Sequence, residues 1–305
     1  MVSFPVSVGE VIGGEAMQAV SKKREDLFRL YRHPRPRSAS MLASWPGIGN
    51  VSLIAARYLK DKLGAVEIGE IDPVNFFEPV GVMVEDNVVE KPRFPESKFY
   101  YWRNKETGKG LLLFIGEEQP ASKGYEMVNC VLDVARRFKV ERIYSCAAAI
   151  TRMHYSEKSS VWAVATKREL LSDISQYDVV LKGDVRIAGL NGLILGMAKE
   201  RDIEGVCLLG EVPGYATQMA NPGASLAVLR VLSKMLGVEV DLTDLSRLAR
   251  RSEDEMEMTA KQATAAFIDR FTEPIWEQEE EREEEDEDEE EDEDGDGGGD
   301  KFGTN

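Results

Sequence analysis

Two carboxylates and a carboxamide stand near the ends of apolar stretches, where a catalytic or binding site could form. Glu117 and Gln119 follow the apolar residues 111–115, and Glu211 follows residues 206–209 after a glycine. Carboxylates that meet at strand ends could act as a general acid and base or hold Mg²⁺. They could equally accept hydrogen bonds from loops and helix N-termini. No third type of metal ligand stands beside them, so we predict no metal ion and no catalytic residue here.

Two glycine-rich segments have spacings that resemble phosphate-binding loops. Gly47-x-Gly49-x-x-Ser52 follows a predicted strand and opens a predicted helix, with Glu67 twenty residues after Gly47, which approaches a dinucleotide fingerprint. Ser52 replaces the third glycine, however, and the motif needs all three. Residues 189–196 could present backbone N–H groups to a phosphate, but they lack the Gly-Lys-Ser/Thr of a P-loop. We therefore predict tight turns and close helix packing at both segments, and no cofactor.

His154 is the one histidine outside the N-terminal region, and it follows a predicted strand that contains Ser145 and Cys146. A nucleophile paired with a base would need such a combination. A lone loop histidine is more often a surface or hydrogen-bonding residue. The chain has no Gly-x-Ser-x-Gly turn, so the sequence disfavours hydrolase chemistry.

The charge of the chain is concentrated at one end. The 305 residues carry a formal net charge of −17, but residues 277–305 contain 18 acidic and two basic residues, which leaves the rest at −1. A nearly neutral body without a basic stripe argues against nucleic acid as a partner. A run of like charges with few apolar residues is typical of disorder, so we predict a disordered acidic tail over 277–305.

Cysteines and apolar runs indicate the compartment. Cys130, Cys146 and Cys207 are widely spaced and odd in number, which is typical of reduced thiols in a cytosolic core. No apolar run reaches the length of a membrane span, and the first residues lack the pattern of a signal peptide. We expect a soluble, cytoplasmic protein with no membrane partner.

Strand and helix signals alternate from Met41 onward, which predicts a mostly parallel sheet with helices on both faces. A strand-rich middle predicts that the sheet is mixed. The predicted strands are 41–45, 65–71, 80–84, 99–102, 111–115, 142–148, 161–165, 179–181 and 206–209. The predicted helices are 50–64, 123–138, 170–175, 191–201 and 222–236. Asn50 is the predicted side-chain cap of the first, and Asn221 and Gly237 are the predicted caps of the last.

The ends of the chain are predicted as additions to a single α/β domain over 41–250. Residues 1–40 form a helical extension, with the helix over 10–31. Ser252-x-x-Glu255 has the form of a capping box and predicts the start of a C-terminal helix within 251–276.

The aromatic run Phe99-Tyr-Tyr-Trp102 occupies four successive positions of a predicted strand. Successive side chains point to opposite faces, so some must leave the main core unless a second layer covers them. The run is therefore either ordinary core or part of an interface between subunits.

Six segments together resemble the proteasome assembly chaperone 2 (PAC2) family of archaea and bacteria. They are SWPGIGNVSLIAARYL (44–59), PVGVMVEDNVV (79–89), LLLFIGEEQP (111–120), SCAAAITRMH (145–154), GLNGLILGMAKERDIEG (189–205) and VCLLGEVPGYATQMANP (206–222). The resemblance implies a three-layer α/β/α fold with a mixed, mostly parallel sheet, similar to purine nucleoside phosphorylases. It also implies a homo-oligomeric, non-enzymatic chaperone or binding module, with proteasome subunits as candidate partners.

One family feature is missing at the end of the sequence. Some members end in a hydrophobic-Tyr-X tripeptide that docks between proteasome α-subunits, whereas this sequence ends Lys301-Phe-Gly-Thr-Asn305. The resemblance therefore does not imply that this chain docks on the proteasome α-ring through a C-terminal tripeptide. Any contact with a proteasome would have to use another surface.

Two other functions stay open. One is a small-molecule enzyme, since relatives of the family have been labelled ATP-grasp carboligases and the fold is similar to nucleoside phosphorylases. Its pocket would be built at the strand ends from Gly47, Asn50, Glu117, Gln119, Asn191, Glu211 and Tyr215. These residues do not form a complete catalytic set, so the sequence favours a non-enzymatic function over this alternative without excluding it. The other is a structural oligomer whose acidic tail is regulatory.

Overall fold

The computed structural model describes residues 25–36, 38–79, 81–154, 156–181 and 183–272. In these residues the strands are β1 (Phe28–Leu30), β2 (Ala39–Ser44), β3 (Val66–Ile71), β4 (Val84–Glu85), β5 (Val88–Val89), β6 (Ser97–Arg103), β7 (Gly110–Gly116), β8 (Val140–Thr151), β9 (Val161–Ala165) and β10 (Glu204–Pro213). The helices are α1 (Val51–Leu63), α2 (Gly124–Arg137), α3 (Leu170–Ile174), α4 (Leu190–Glu200), α5 (Pro222–Leu236) and α6 (Thr243–Thr272). Short 3₁₀ turns occupy Glu25–Leu27, Ile48–Asn50, Pro73–Asn75 and Gly214–Ala216.

Eight strands form one sheet in the order β1-β3-β6-β7-β2-β8-β10-β9. The central strands β7, β2, β8 and β10 run parallel, and the other four pairings are antiparallel. The prediction of a mixed sheet is confirmed, but the prediction that it is mostly parallel is wrong. The reason lies in the connections: residues 104–109 join β6 to β7 and are too few for the crossover that parallel neighbours require.

Helices cover both faces of the sheet. One buried cluster contains residues of α2 and α4, and the other contains residues of α1, α3 and α5. Neighbouring residues of β7 show the division, because Phe114 packs in the first cluster and Leu113 in the second. This follows from the alternation of side chains along a strand. The sheet therefore lies between two helical layers.

The helix boundaries set by caps and glycines are confirmed. Asn221 accepts a hydrogen bond from the Ala224 N–H at 2.8 Å, and Pro222 occupies the first position of α5. Gly237 ends α5 with φ +63°, and Gly64 ends α1 with the same φ. A left-handed residue that lacks Cβ stops a helix at little steric cost, which is why these two ends could be predicted.

The predicted N-terminal helix over 10–31 is wrong where the structure describes it. Glu25–Leu27 forms a 3₁₀ turn, and Phe28–Leu30 forms β1, antiparallel to β3. Phe28 is buried in the core against the sheet. The rest of that predicted helix, residues 10–24, lies outside the described residues, as does the predicted acidic tail.

The predicted capping box at Ser252 is also wrong. The helix α6 begins at Thr243, whose backbone N–H donates to the Asp241 carboxylate at 2.9 Å. Leu245 and Ala249 are buried in the core, and their burial stabilises helical turns that precede Ser252 in the chain. The Ser252 hydroxyl donates instead to the Ala249 carbonyl within the helix, at 2.8 Å.

Two predicted strands are wrong. Residues 81–83 are irregular, and the strand nearby is the two-residue β4. Residues 179–181 make one isolated bridge, between Val180 and Trp162. Both segments are short apolar runs, a pattern that by itself does not establish a strand.

The chain divides into two compact units, Met1–Met256 and Glu257–Asn305. The first contains the sheet and residues 243–256 of α6. The described part of the second, residues 257–272, is helical and includes an ion pair between Lys261 and Glu257 at 2.8 Å. None of the helices in the described ranges combines the length and apolar content that crossing a bilayer requires.

Candidate functional site

The loop after β2 is held by the buried side chain of Asn191, at the start of α4. The Trp45 N–H donates to Asn191 Oδ1 at 3.0 Å, and Asn191 Nδ2 donates back to the Trp45 carbonyl at 2.9 Å. The Ser52 hydroxyl lies 3.3 Å from the same Oδ1. Asn191 is 3% exposed. Its carboxamide is therefore used within the protein and is not presented to a ligand.

Gln119 joins the same loop to the N-terminus of α4. Its Nε2 donates to the Pro46 carbonyl at 2.6 Å, and its Oε1 accepts from the Leu190 N–H at 3.0 Å. Gly189 has φ +74°, and a Cβ on it would lie 2.7 Å from Gln119 Oε1. A backbone N–H in the first turn of α4 is thus capped by a side chain at the place where a phosphate would bind.

The other glycines of this region show why close packing was the better prediction. A Cβ on Gly192 would lie 2.3 Å from the Ile187 carbonyl oxygen. Gly49 has φ +64°, and its carbonyl accepts from the Asn221 N–H at 2.7 Å. Asn50 also has a left-handed backbone, but its side chain makes no cap bond to α1. The prediction of Asn50 as a side-chain cap is wrong, although the helix starts where predicted.

Glu117 is engaged at the end of β7. Its Oε1 lies 3.3 Å from the Arg57 guanidinium of α1, and its Oε2 accepts from the Glu96 N–H at 3.0 Å. Its own N–H donates to the Glu96 carbonyl at 2.8 Å. These contacts fasten the segment before β6 to the end of β7.

Glu211 lies within β10, because that strand continues to Pro213; the prediction that Glu211 follows the strand end is wrong. One carboxylate oxygen accepts from the Ser160 N–H at 3.1 Å and the other from Trp162 Nε1 at 3.0 Å. The Glu211 backbone also bonds Ser160 and the Ser159 hydroxyl. Glu211 therefore anchors the start of β9 to β10.

The two predicted carboxylates do not meet. β2 and β8 lie between β7 and β10, and three strand spacings of about 4.8 Å place Glu117 and Glu211 about 14 Å apart. An acid–base pair or a shared Mg²⁺ needs a much shorter separation. Across the described ranges no three His, Cys, Asp or Glu side chains are grouped to hold a metal ion.

The other candidates are spread along the same edge of the sheet. The structure brings together Gly47, Gln119 and Asn191, because a Cβ on Gly47 would lie 3.6 Å from Asn191 Nδ2. Asn50 is exposed at the start of α1, and Tyr215 is 40% exposed in the turn after β10. These two residues add polar groups at the surface rather than inside a closed pocket.

The candidate nucleophiles are inaccessible. Ser145 and Cys146 are fully buried in β8, whereas His154 lies in the loop after it with its Nδ1 2.7 Å from the Ser156 hydroxyl. Burial raises the pKa of Cys146 well above its ordinary value, and burial also raises the pKa of Cys207 to about 12. A thiol that stays protonated and covered is unreactive.

Aromatic residues of β6 are covered from both sides. Phe99 and Tyr101 are buried in the first cluster, and Tyr100 and Trp102 pack against the second. The Lys60 ammonium of α1 lies 5.1 Å from the centre of the Tyr100 ring. Within the described residues this run is core, which is one of the two alternatives left open by the sequence.

Several cavities in the described residues were not foreseen from the sequence. One, of about 560 Å³, opens beside the end of β7 and has an aromatic and proline lining with a few polar groups, including Phe77, Phe94, Pro79, Pro95, Gln119 and Lys123. Another, of about 260 Å³, lies at the opposite edge, where the parallel strands begin. There Arg142 donates to Glu204 at 2.7 and 3.0 Å. Burial opposes the charge of Arg142, but the bonds to Glu204 keep the pKa of the guanidinium above its ordinary value.

The sequence also missed an exposed apolar element. Residues 82–90 contain β4, β5 and the turn Asp86-Asn87, and we call them the valine hairpin. Val84, Val88 and Val89 are 58%, 62% and 65% exposed. The dipeptide Asp86-Asn87 is the signal in the sequence that could have revealed the hairpin. Both residues adopt positive φ, and two-residue turns of this kind join antiparallel strands.

Fold and site define a class of protein: an α/β protein with an eight-stranded mixed sheet flanked by helices, whose strand-end polar residues hold loops together. The chain belongs to the PAC2 family, which matches it over residues 41–260. The resemblance found in the six sequence segments is thus confirmed.

Known relatives agree with this assignment. PbaB of Pyrococcus furiosus, an archaeal proteasome activator, is 26% identical with a TM-score of 0.66, over 76% of this chain and 98% of PbaB. PbaA of the same organism, an archaeal homologue of proteasome-assembly chaperone, shares the fold with 23% identity and a TM-score of 0.59, over 78% of this chain and 99% of PbaA. An uncharacterised protein of Methanocaldococcus jannaschii is 25% identical over 228 residues, which are 73% of this chain and 84% of that protein.

Proposed function

We propose that this protein is a non-enzymatic assembly chaperone or protein-binding module, that it works as a homo-oligomer, and that proteasome subunits are its partners. One observation carries the proposal. Asn191, Gln119 and Glu211 direct their polar atoms to the protein's own backbone and side chains. A catalytic group needs a free acceptor or donor aimed at a substrate, and these side chains stabilise loops.

The relationship to PbaB suggests the kind of partner. PbaB is a proteasome activator, and the match covers nearly all of its length. Fold alone does not carry function.

The test is direct binding of the full chain to purified 20S core particles and, separately, to isolated α-subunits and β-subunits of the encoding organism. We expect saturable binding by biolayer interferometry to the core particle and to one of the subunit types. An unrelated ring-shaped protein of similar charge serves as the reference. Binding to the core particle no stronger than to that reference would contradict the proposal.

A small-molecule function is favoured by one observation, the cavity of about 560 Å³. Its volume lies within the range of ligand pockets, about 300–1,000 Å³. Of the seven residues predicted for a pocket, Gln119 lines it, and Gln119 already bonds Pro46 and Leu190. Calorimetry with ATP and purine nucleosides separates the two functions. We expect no binding in the micromolar range, whereas such binding, weakened by Lys123→Ala, would support the enzyme.

A further inference from the structure

The valine hairpin is a small sheet that stands apart from the main sheet. β4 and β5 pair with each other and with no other strand in the described part of the chain. Residues 81–89 are all exposed. A two-stranded hairpin on its own is marginally stable in water, and it needs a further strand or a packed face to become stable.

The hairpin has one wholly apolar face. Val84 pairs with Val89, so the two side chains lie on the same face. Val82 lies in the irregular residues just before β4. All three are about half exposed or more. The apolar surface continues at the base of the hairpin, where Gly81 and the exposed Val74 line the cavity of about 560 Å³. Contiguous exposed apolar surface is typical of interaction sites.

The charges at the two ends of the hairpin are complementary to each other. Glu85 and Asp86 are at the tip, and Lys91 and Arg93 follow its base. Glu85 and Arg93 form an ion pair within one chain at 4.0 Å, and their side chains stay 63% and 75% exposed. Asp86 at the tip and Lys91 after the base are therefore the charges that a second copy would contact. Two hairpins placed antiparallel would set the acidic tip of each over the basic base of the other. A surface that is complementary to itself around a two-fold axis suits a second copy of the same chain.

We propose that two copies of this protein associate through their valine hairpins, with the faces of Val84 and Val89 packed together around a two-fold axis. The contact removes apolar side chains from water and gives each hairpin the packed face it lacks. It rests on the self-association included in the proposed function, and it identifies the surface responsible.

Charge placed on the apolar face tests the contact. The double variant V84D/V89D puts like charges on the packed face of each copy, so native mass spectrometry at micromolar concentration should show the mass of the wild-type species reduced by half. V185D, which changes a 37% exposed valine in a loop, is the matched control and should keep the wild-type mass. Circular dichroism checks that each variant is folded. A V84D/V89D protein that keeps the wild-type mass, or a wild type that is monomeric, would overturn the proposal.

A cross-link tests the contact without destabilising it. The native cysteines Cys130, Cys146 and Cys207 are buried, so a new surface thiol is the reactive one. V84C should form a disulfide-linked dimer on mild oxidation at low protein concentration, and V185C should stay monomeric on the same gel. Equal cross-linking of the two variants would overturn the proposal.

The two proposals fail separately. A wild-type chain that dimerises through the hairpin but does not bind core particles contradicts the proteasome function and leaves this contact in place. A chain that binds core particles but whose mass is insensitive to V84D/V89D contradicts this contact alone.

Discussion

At the scale of single residues, the candidate site is built from side chains that form hydrogen bonds with backbone N–H and carbonyl groups. The carboxamide of Asn191 donates to and accepts from one residue, Trp45, as a neighbouring strand would. Gln119 does the same with two different partners, Pro46 and Leu190. Buried backbone groups outside regular structure must find such partners, since leaving them unpaired is costly. The irregular loops at the strand ends are stabilised in this way.

Asn191→Ala should therefore destabilise the protein. It leaves the N–H and the carbonyl of Trp45 without their partner in a buried site, which costs about 2–4 kcal/mol for two such groups. Chemical denaturation monitored by circular dichroism measures the loss. Asn75→Ala, which removes a partly exposed carboxamide, should cost less than about 0.5 kcal/mol. Equal losses in the two variants would contradict the structural role given to Asn191.

The buried thiols predict a dependence on alkaline pH. The pKa of Cys207 is raised by burial from an ordinary value of 9.0 to about 12, and burial also raises the pKa of Cys146. Because the folded state holds these thiols protonated, their contribution to stability is complete below pH 9. It is lost as the pH rises from 9 toward 12, since the unfolded thiols ionise first. Denaturation curves across this range should show the fall, and Cys207→Ala should make it shallower.

Thiol titration provides an independent check on the same groups. At pH 8 an aromatic disulfide reagent should find no fast-reacting thiol in the folded protein, and all three cysteines after denaturation. Fast reaction of a thiol in the native protein would show that one of these sites opens to solvent.

At the scale of elements, two glycines at α4 differ in whether the structure needs a residue without a Cβ. Gly189 precedes the helix with φ +74°, and a Cβ there would lie 2.7 Å from Gln119 Oε1. Gly196 lies in an exposed helical position, and a Cβ there would meet nothing within 4 Å. One glycine is needed for its backbone and the close contact, and the other only adds freedom to the unfolded chain.

Gly189→Ala should destabilise the protein by about 1–3 kcal/mol, because alanine would be strained in the left-handed region and would displace Gln119. Gly196→Ala should stabilise it by about 0.5–1 kcal/mol, since alanine is the better helix former. Paired thermal melts measure both changes, each variant serving as the control for the other. Stabilisation by Gly189→Ala would contradict the placement of Gln119.

Elements whose ends are fixed by local chemistry could be predicted from the sequence, and elements fixed by distant pairing could not. Asn221, Pro222 and Gly237 determine α5 within their own segment, and its bounds were correct. The three residues of β1 become a strand only because β3 lies beside them. Ser252 has the local chemistry of a helix start, but burial of Leu245 and Ala249 places the start at Thr243.

The same distinction applies to the site. The sequence placed Gln119 and Asn191 close to predicted strand and helix ends, and both side chains bond the loop after β2. It could not give the order of the strands, and the order β7-β2-β8-β10 is what separates Glu117 from Glu211. The strand predicted before Glu211 also ended too early, at residue 209. The structure extends it to Pro213, because these further residues pair with β8.

At the scale of the whole molecule, charge and apolar surface are located in different parts of the sequence. Residues 277–305 account for almost all of the net charge of −17, and the remaining residues carry −1. The valine hairpin, in contrast, presents apolar side chains on a nearly neutral body. Contacts through the apolar face of the hairpin should therefore depend less on salt than any contact made by the acidic residues 277–305, because the screening length is about 8 Å at physiological ionic strength.

Removal of residues 277–305 separates these contributions. The segment contains one large apolar residue, Phe302, so its loss should leave the thermal midpoint of the folded protein within about 2 °C of the full chain, a change of less than about 1 kcal/mol. Association with a basic partner should become slower at low salt and lose its salt dependence, since electrostatic steering follows the net charge. Stopped-flow mixing at several salt concentrations measures this, and a chain with the same acidic residues in shuffled order should retain the fast rate. A fall of more than about 5 °C in the midpoint would show instead that these residues stabilise the folded protein.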